Sequence, residues 1–549
     1  MGKNIFSIII VSFFAFIAGF ALLHKGLIPT HDGEYHVIRF FLFDEAIRDG
    51  NLYPRWAEHL NNGFGVPLFN FVYPLPNYIA ALFHFVGVSF IGSFKLELFL
   101  AGIIGGIFFY LWSKEFWGKL GGMVSSVFYT FSPYHFVDIY IRGSVGEVWA
   151  LAFFPAFLWS ITRYIRHKQR IFFLLSPIFL SLIIFSHNIL ALMFFPFAIS
   201  YILYLILKSK DKKFLIFNTS WIMILGLGIS AIFWFPAITE SKLATGLQIF
   251  DAYSHFPDLY QLLIPSWGSS FSGGEIASEL SYQIGIANLL AIALSFAVVI
   301  LLKKRKDKKS MHIIFFLILF SVVFFLMLSI SEPVWKIVPL MNYFQFPWRL
   351  LSIEILITSF TAGSIVFLFK NKIVKILIAV FLSFLAFILG IGYAKPAYYL
   401  YRDDSYYLTR SNFIDGTNSP GNVFNTVWFD TKLKKVNNKL VFIKGSGTIK
   451  ITEANGSQYK ATINSLEDSQ IIVNTAYFPI WSVYVDNEKV RVLGTANGLF
   501  SFNVPAGKHD ILIKFEDTYS RKAGTLVFYL SSLIVIVLFG RVLFATIRK

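Results

Sequence analysis

The chain of 549 residues contains no cysteine. That removes thiolate nucleophiles, disulfides and Cys-ligated metal sites, and leaves the redox compartment open. Charge is scarce too: 14% of residues are Asp, Glu, Lys or Arg, against 56% hydrophobic and 19% aromatic. Soluble multidomain, disordered and disulfide-stapled classes do not tolerate such a composition. The sequence also lacks GxxxxGKS/T, HExxH and GxSxG, so nucleotide-hydrolysing pumps, zincins and common esterases find no support. No 20–50-residue repeat and no low-complexity linker is evident. What is present is a mean hydropathy of +0.64, apolar runs of spanning length and a net charge of +17.

Lipid offers the backbone no hydrogen-bonding partner, so apolar runs near twenty residues read as membrane helices. Twelve fit, at about 4–24, 97–113, 120–136, 147–162, 171–186, 189–207, 214–236, 284–302, 311–330, 351–369, 373–393 and 524–541. The first is expected to be an uncleaved anchor, because no small-residue cleavage site follows it. A further apolar stretch, 77–91, is assigned to the interface by charge. Short loops rich in Lys and Arg stay cytoplasmic. Only with 77–91 left out do Lys114/Lys119 and the clusters at 163–170, 208–213, 303–309, 370–375 and 541–549 all share one side with Lys3. Those segments hold 23 of the 48 Lys/Arg and three of the 31 acids, a charge of +20, leaving −3 for the rest. The basic excess is thus a topology signal, and no nucleic-acid partner is implied.

The expected architecture is a polytopic α-helical membrane protein in the cytoplasmic membrane, with both termini cytoplasmic. It has a multi-span domain over 1–394, whose first outer loop is 25–96, then an extracytoplasmic domain over 395–523 and a final helix with a basic tail over 524–549. Residues 395–523 alternate apolar and polar positions between Asn-Gly, Asp-Asn and Pro-Ala-Gly turns, which reads as an antiparallel β-sandwich.

The candidate chemistry lies on the outer face. "HDGEYHVIRF" brings His31, Asp32, Glu34 and His36, and the same loop adds Arg55 and Trp56. A carboxylate here suits a general base or a divalent ion (Asp32, Glu34 and His36 being the candidate ligands), and a guanidinium suits a phosphate. "YHFVDIYIRGSVGEVWA" adds Asp138, Arg142 and Glu147, as a site or as helix-end caps and snorkels. His187 in "SHNI" either meets a ligand or closes a turn. Gln345 and Arg349 in "NYFQFPWRLL" either hold a lipid phosphate or anchor the interface. The 237–283 loop carries Asp251, His255, Trp267 and Glu275 and would suit a mobile lid.

Taken in order, "HDGEYH…GNLYPRW…GFGVPLFNFVYPLPNY", "YIRGSVGEVWA", "SHN" and "FQFPWR" resemble the bacterial membrane proteins called 6-pyruvoyl-tetrahydropterin-synthase-related. These are similar to YfhO-like proteins and to the C-type (GT-C) fold of polyprenyl-phosphate-sugar glycosyltransferases. The end of the chain, "YFPIWSVYVDNEKV…NGLFSFNVPAGKHDILIKF", looks like the YfhO-like β-domain. Pterin chemistry itself is not expected, since it needs a histidine zinc site and the chain has no HxH. The resemblance implies an inverting enzyme that transfers a hexosyl or pentosyl group from a polyprenyl-phosphate donor to an envelope glycan, lipid or protein. It implies that Asp32 is the base or metal ligand, that Glu147 or Asp138 is the second acid, that Mg or Mn takes part if a metal is used, and that a non-spanning helix lies in the first outer loop. A lipid or polysaccharide transporter and a non-catalytic assembly protein are the alternatives.

Overall fold

The computed structural model describes residues 2–246, 251–270, 279–408 and 424–547. Among them, ten helices are long and apolar enough to cross a membrane. One of these, Phe90–Thr130, has 41 residues but is broken at Gly118, where φ is 74° and ψ is −176°. Ser126 Oγ donates to the Gly106 carbonyl at 2.7 Å, and Tyr129 stacks on Phe109 with centroids 4.2 Å apart. In one unbroken helix, residues twenty apart would stand about 30 Å away, so this is an antiparallel pair. Counting it as two and adding the 17-residue apolar helix Arg170–Ser186 gives the same twelve segments that hydropathy outlines. The second of them starts earlier than the expected residue 97. Ser89 caps it at Phe90 by accepting from the Gly92 N–H at 3.0 Å. Lys95 and Glu97, which look like helix breakers in a lipid-facing run, are buried against protein.

The stretch expected at the interface forms Leu75–Phe85, eleven residues. At 1.5 Å per residue it covers about 16 Å, roughly half of a bilayer core, so it does not span. Its Tyr78 meets Phe43 edge-on at 4.8 Å. Phe43 belongs to a second helix of the first loop, Gly33–Arg48, which hydropathy does not reveal.

The basic connections share one face. Lys168 pairs with Asp211, Arg163 with Glu115 at 3.5 Å, Lys309 Nζ donates to the Phe116 carbonyl at 2.6 Å, and Arg305 donates to the Leu368 carbonyl at 2.6 Å. The opposite face carries the first loop and the β-domain.

That domain has nine antiparallel strands: β1 Leu440–Lys444, β2 Gly447–Asn455, β3 Gln458–Ser465, β4 Ser469–Val473, β5 Trp481–Val485, β6 Glu488–Val490, β7 Leu493–Gly494, β8 Phe500–Val504 and β9 Gly507–Phe515. They form two sheets, ordered β1-β4-β8-β7 and β2-β3-β9-β5-β6. The β5–β6 turn places Asp486 and Asn487 at φ 51° and 70°, the left-handed pair that a two-residue hairpin requires. Residues 399–408 pack on the first loop rather than on the sheets: Leu27 pairs with Leu400, and the Asp404 carboxylate accepts from the Phe90 and Ile91 N–H groups at 2.7 and 3.0 Å.

The first loop also enters the β-domain. Trp56 is 3% exposed and belongs to the sheet-to-sheet core, with its ring 5.6 Å from Trp481 and 5.4 Å from Phe515. Full burial of a Trp contributes several kcal/mol, about 3–5 by truncation.

Candidate functional site

Three outer-face segments from distant parts of the chain converge. In the first, the His31 and Asp32 N–H groups donate to the carbonyls of Ile141 and Arg142, both at 2.9 Å. So close an approach demands Gly143, which has φ 64° and whose Cβ would lie 2.3 Å from Thr30 Oγ1. Asp32 occupies the N-cap position of helix Gly33–Arg48, yet its side chain makes no capping bond. Thr30 Oγ1 takes that part, accepting from the Gly33 N–H at 3.1 Å. Among the described residues the half-buried Asp32 carboxylate therefore makes no hydrogen bond and no ion pair. Burial pushes its pKa up, against the opposing fields of Arg142, Arg39 and His31. His31 Nε2 donates to the Ser269 carbonyl at 2.8 Å. Burial lowers its pKa.

The second and third segments build a buried ionic frame. Val137–Arg142 is a π-helical turn ending at Gly143, and Glu147 lies in the first turn of helix Val145–His167. Arg142 forms a two-pronged pair with Glu147, Nη1 to Oε2 and Nη2 to Oε1, each 2.6 Å, and Nη1 also meets Asp138 Oδ1 at 2.5 Å. Arg349 Nε reaches Glu147 Oε1 at 3.2 Å, and Tyr134 OH donates to Oε2 at 3.2 Å. His187 Nδ1 accepts from the Leu190 N–H at 3.2 Å, which leaves the proton on Nε2, 3.6 Å from Glu147 Oε1. Burial lowers the His187 pKa to about 3, so the ring is neutral. Glu147 is completely buried and its oxygens are saturated. Asp138 keeps one oxygen buried and unpartnered, and burial together with the Glu147 charge pushes its pKa well up. Gln345 accepts from Arg349 Nη1 at 2.5 Å while holding φ at 65°, a conformation that costs a non-glycine residue roughly 1–3 kcal/mol. The Trp348 ring lies 5.0 Å from the Arg142 guanidinium carbon.

Of the residues singled out from the sequence, His31, Asp32, Asp138, Arg142, Glu147, His187, Gln345 and Arg349 are brought together. His36 lies one turn beyond Asp32, 2% exposed and stacked on Phe94, with its pKa held well down by burial. Glu34 points to another side of the same helix, since positions two apart do not share a face. Among the described residues no three His, Asp or Glu side chains form a metal-holding group, so Asp32, Glu34 and His36 do not fit as a ligand set. Arg55 and Trp56 lie elsewhere. Arg55 donates to Asn70 Oδ1 and to the Ile232 carbonyl, both at 3.1 Å, and Trp56 fills the β-domain. Asp251, His255 and Trp267 are in the 251–270 segment, while Glu275 lies outside the described residues.

The sequence reading missed Arg39, Tyr35 and Tyr73. The Tyr73 ring packs 4.9 Å from His187, and Arg39, Asp32 and Glu147 all act on its hydroxyl. Positions 32, 35, 36 and 39 follow the i, i+3, i+4, i+7 rule for one helix face, and that spacing was the available signal. Two acids inside apolar spans were also passed over. Glu97 accepts from Trp149 Nε1 at 2.9 Å, and Glu354 is fully buried with both carboxylate oxygens unpartnered.

Two narrow clefts flank the Pro133–Arg142 region. Phe131, Pro133, Gly285, Asn288 and Tyr393 line one; Ala15, Gly19, Phe99, Tyr129, His135 and Ile139 line the other.

The family model of the 6-pyruvoyl-tetrahydropterin synthase related domain, described as a membrane protein, matches residues 69–393, more than half of the chain. The chain belongs to this family. In this 6-pyruvoyl-tetrahydropterin-synthase-related protein the matched region holds Tyr73, the whole Glu147 frame and His187, whereas Asp32 and Arg39 precede it. An uncharacterised protein of Lactococcus lactis subsp. cremoris (strain MG1363) is 25% identical over 242 residues, which cover 43% of this chain and 39% of that protein. The chain thus spans well under half the length of that relative. Among solved structures, arabinofuranosyltransferase AftD from mycobacteria shares 13% identity over 70% of this chain and 27% of that one, with a TM-score of 0.44.

Proposed function

We propose that this membrane protein is an inverting glycosyltransferase of the C type, which moves a sugar from a polyprenyl phosphate to an extracytoplasmic glycan, lipid or protein acceptor during envelope assembly. The observation that carries the reading is the Asp32 carboxylate: half-buried, without a hydrogen-bond or ion-pair partner among the described residues, and pinned to a rigid ionic frame. A base needs such a free acceptor, placed where a proton can leave. The acceptor hydroxyl oxygen attacks the anomeric carbon as its proton passes to Asp32. The bond from that carbon to the phosphate oxygen breaks, and the electron pair leaves with the polyprenyl phosphate. Glu147 positions Arg142 and Arg349 rather than moving protons, because all its acceptor capacity is in use. The basic face is cytoplasmic in this reading, with both termini on it.

Glu354 favours a second reading, a proton-coupled carrier of a glycolipid, because buried unpaired acids in membrane helices often relay protons. One experiment separates the two. The purified full chain in nanodiscs receives labelled polyprenyl-phosphate sugars and acceptor lipid or glycan fractions. Transfer is expected, with Asp32→Asn slower by about 10²–10⁴-fold. Undiminished transfer by Asp32→Asn removes the base assignment. Pure flux of labelled lipid across proteoliposomes, with no bond made, establishes the carrier instead.

A further inference from the structure

Five arginines are buried among the described residues: Arg39, Arg55, Arg142, Arg349 and Arg521. Four of these each hold at least one carboxylate, amide or carbonyl partner, although Arg349 Nε and Arg521 Nη1 are also buried without a hydrogen bond. Arg142 holds Glu147 and Asp138, Arg349 holds Gln345 and approaches Glu147, Arg55 holds Asn70 and the Ile232 carbonyl, and Arg521 holds Glu240. Arg39 differs. It is 9% exposed, its Nε is buried without a partner, and among the described residues it makes no hydrogen bond or ion pair, only a loose approach to the Tyr35 ring at 5.8 Å. A guanidinium is always charged and carries five donors. Burying one without a counter-charge is costly unless a ligand supplies it.

Its neighbours define the ligand. Arg39 acts electrostatically on Asp32, His36 and Tyr73, so its charge lies near the candidate base. Among the described residues no carboxylate stands within ion-pairing distance of it.

We propose that Arg39 is the anion receptor beside Asp32 and binds a phosphoryl group, in place of the already-paired Arg142, Arg349 and Arg55. A guanidinium fork matches two phosphate oxygens at once, and Arg39 places them beside Asp32, on the side of the acceptor attack. The proposal rests on the glycosyltransferase reading for the identity of the phosphate, not for the existence of the anion site. The phosphoryl group belongs to a membrane lipid or to a soluble ion, and separate probes distinguish these sources.

The test uses the full chain in phosphatidylcholine nanodiscs, with binding read from intrinsic tryptophan fluorescence and from the unfolding midpoint. The probes are polyprenyl phosphate, neutral polyprenol and inorganic phosphate. Wild type is expected to bind polyprenyl phosphate, Arg39→Gln about tenfold or more weakly, Arg39→Lys in between, and neutral polyprenol without dependence on residue 39. If inorganic phosphate alone shows the Arg39 dependence, the site stands with a soluble source. Equal binding by Arg39→Gln, or no binding of either phosphate probe by wild type, overturns the proposal. Unfolding of both Arg39→Gln and Arg39→Lys also overturns it, by making Arg39 a structural cation. Arg39-dependent binding without any sugar transfer by wild type leaves the anion site in place and removes the glycosyltransferase reading.

Discussion

Arg521 and Glu240 stand 281 positions apart, and Arg521 Nη2 lies 2.8 Å from a Glu240 oxygen with its guanidinium sealed from solvent. Thr518 Oγ1 at 2.6 Å and Asn70 Nδ2 at 3.0 Å complete the carboxylate's partners. The pair ties the last helix to the end of helix Ala231–Thr239 and, through Asn70 and Arg55, to the first loop. Glu240→Gln should cost about 3–5 kcal/mol, because it strands a buried cation, whereas joint replacement by Glu240→Leu and Arg521→Met should cost less. Chemical unfolding in nanodiscs checks this, and a single variant within 1 kcal/mol of wild type would contradict it.

Asp32 should show function and stability in opposition. Its folded pKa lies above the ordinary carboxylate value of about 3.9. The protonated form therefore stabilises the fold fully below that value, and the contribution is lost as pH rises through the raised value. Asp32→Asn, which resembles the protonated state, should match or exceed wild-type stability at pH 7 while losing turnover. Unfolding midpoints from pH 4 to pH 8 decide it; a variant less stable than wild type at pH 7 refutes it.

Glu147 and Asp138 look alike in sequence but should behave differently. Glu147→Gln leaves Arg142 and Arg349 facing each other without their shared counter-charge and should cost about 3–5 kcal/mol. Asp138→Asn should cost under about 1 kcal/mol, since burial already drives that carboxyl toward its neutral form. Equal losses in the two variants, measured by thermal unfolding, would show that the frame does not work this way.

The cysteine-free chain is a ready background for labelling. With a membrane-impermeant maleimide, Lys508→Cys on β9 should react in intact cells and Lys210→Cys on the basic face only after permeabilisation. The reverse pattern would invert the orientation.

The membrane helices were legible because lipid imposes a length and a composition on any spanning segment, and the charge clusters marked one face for the same electrostatic reason. Helix Gly33–Arg48 was not legible, since its apolar residues share the helix with Glu34, His36, Arg39, Asp44 and Glu45 and yield no clean run. Within the site, Arg142 and Glu147 are five residues apart and could be suspected together. The arrival of Arg349 depends on how a much later helix packs, and no local pattern carries that. Arg39 was concealed by its ordinariness, for only the absence of a partner in the folded state sets it apart.

Trp56 imposes an order of events. The sheets that receive it are translated after eleven of the twelve spans, and the neighbouring Glu58 meets Tyr459 across 401 positions. The first loop must therefore wait, with an indole unsheltered, until the intervening spans have inserted and the strands around it have crossed. Closing so long a loop is slow, and the interval exposes an apolar side chain to chaperones and proteases. A chain that stops before β9 has no means of covering it, so docking of this one ring reports that synthesis has passed the sheets.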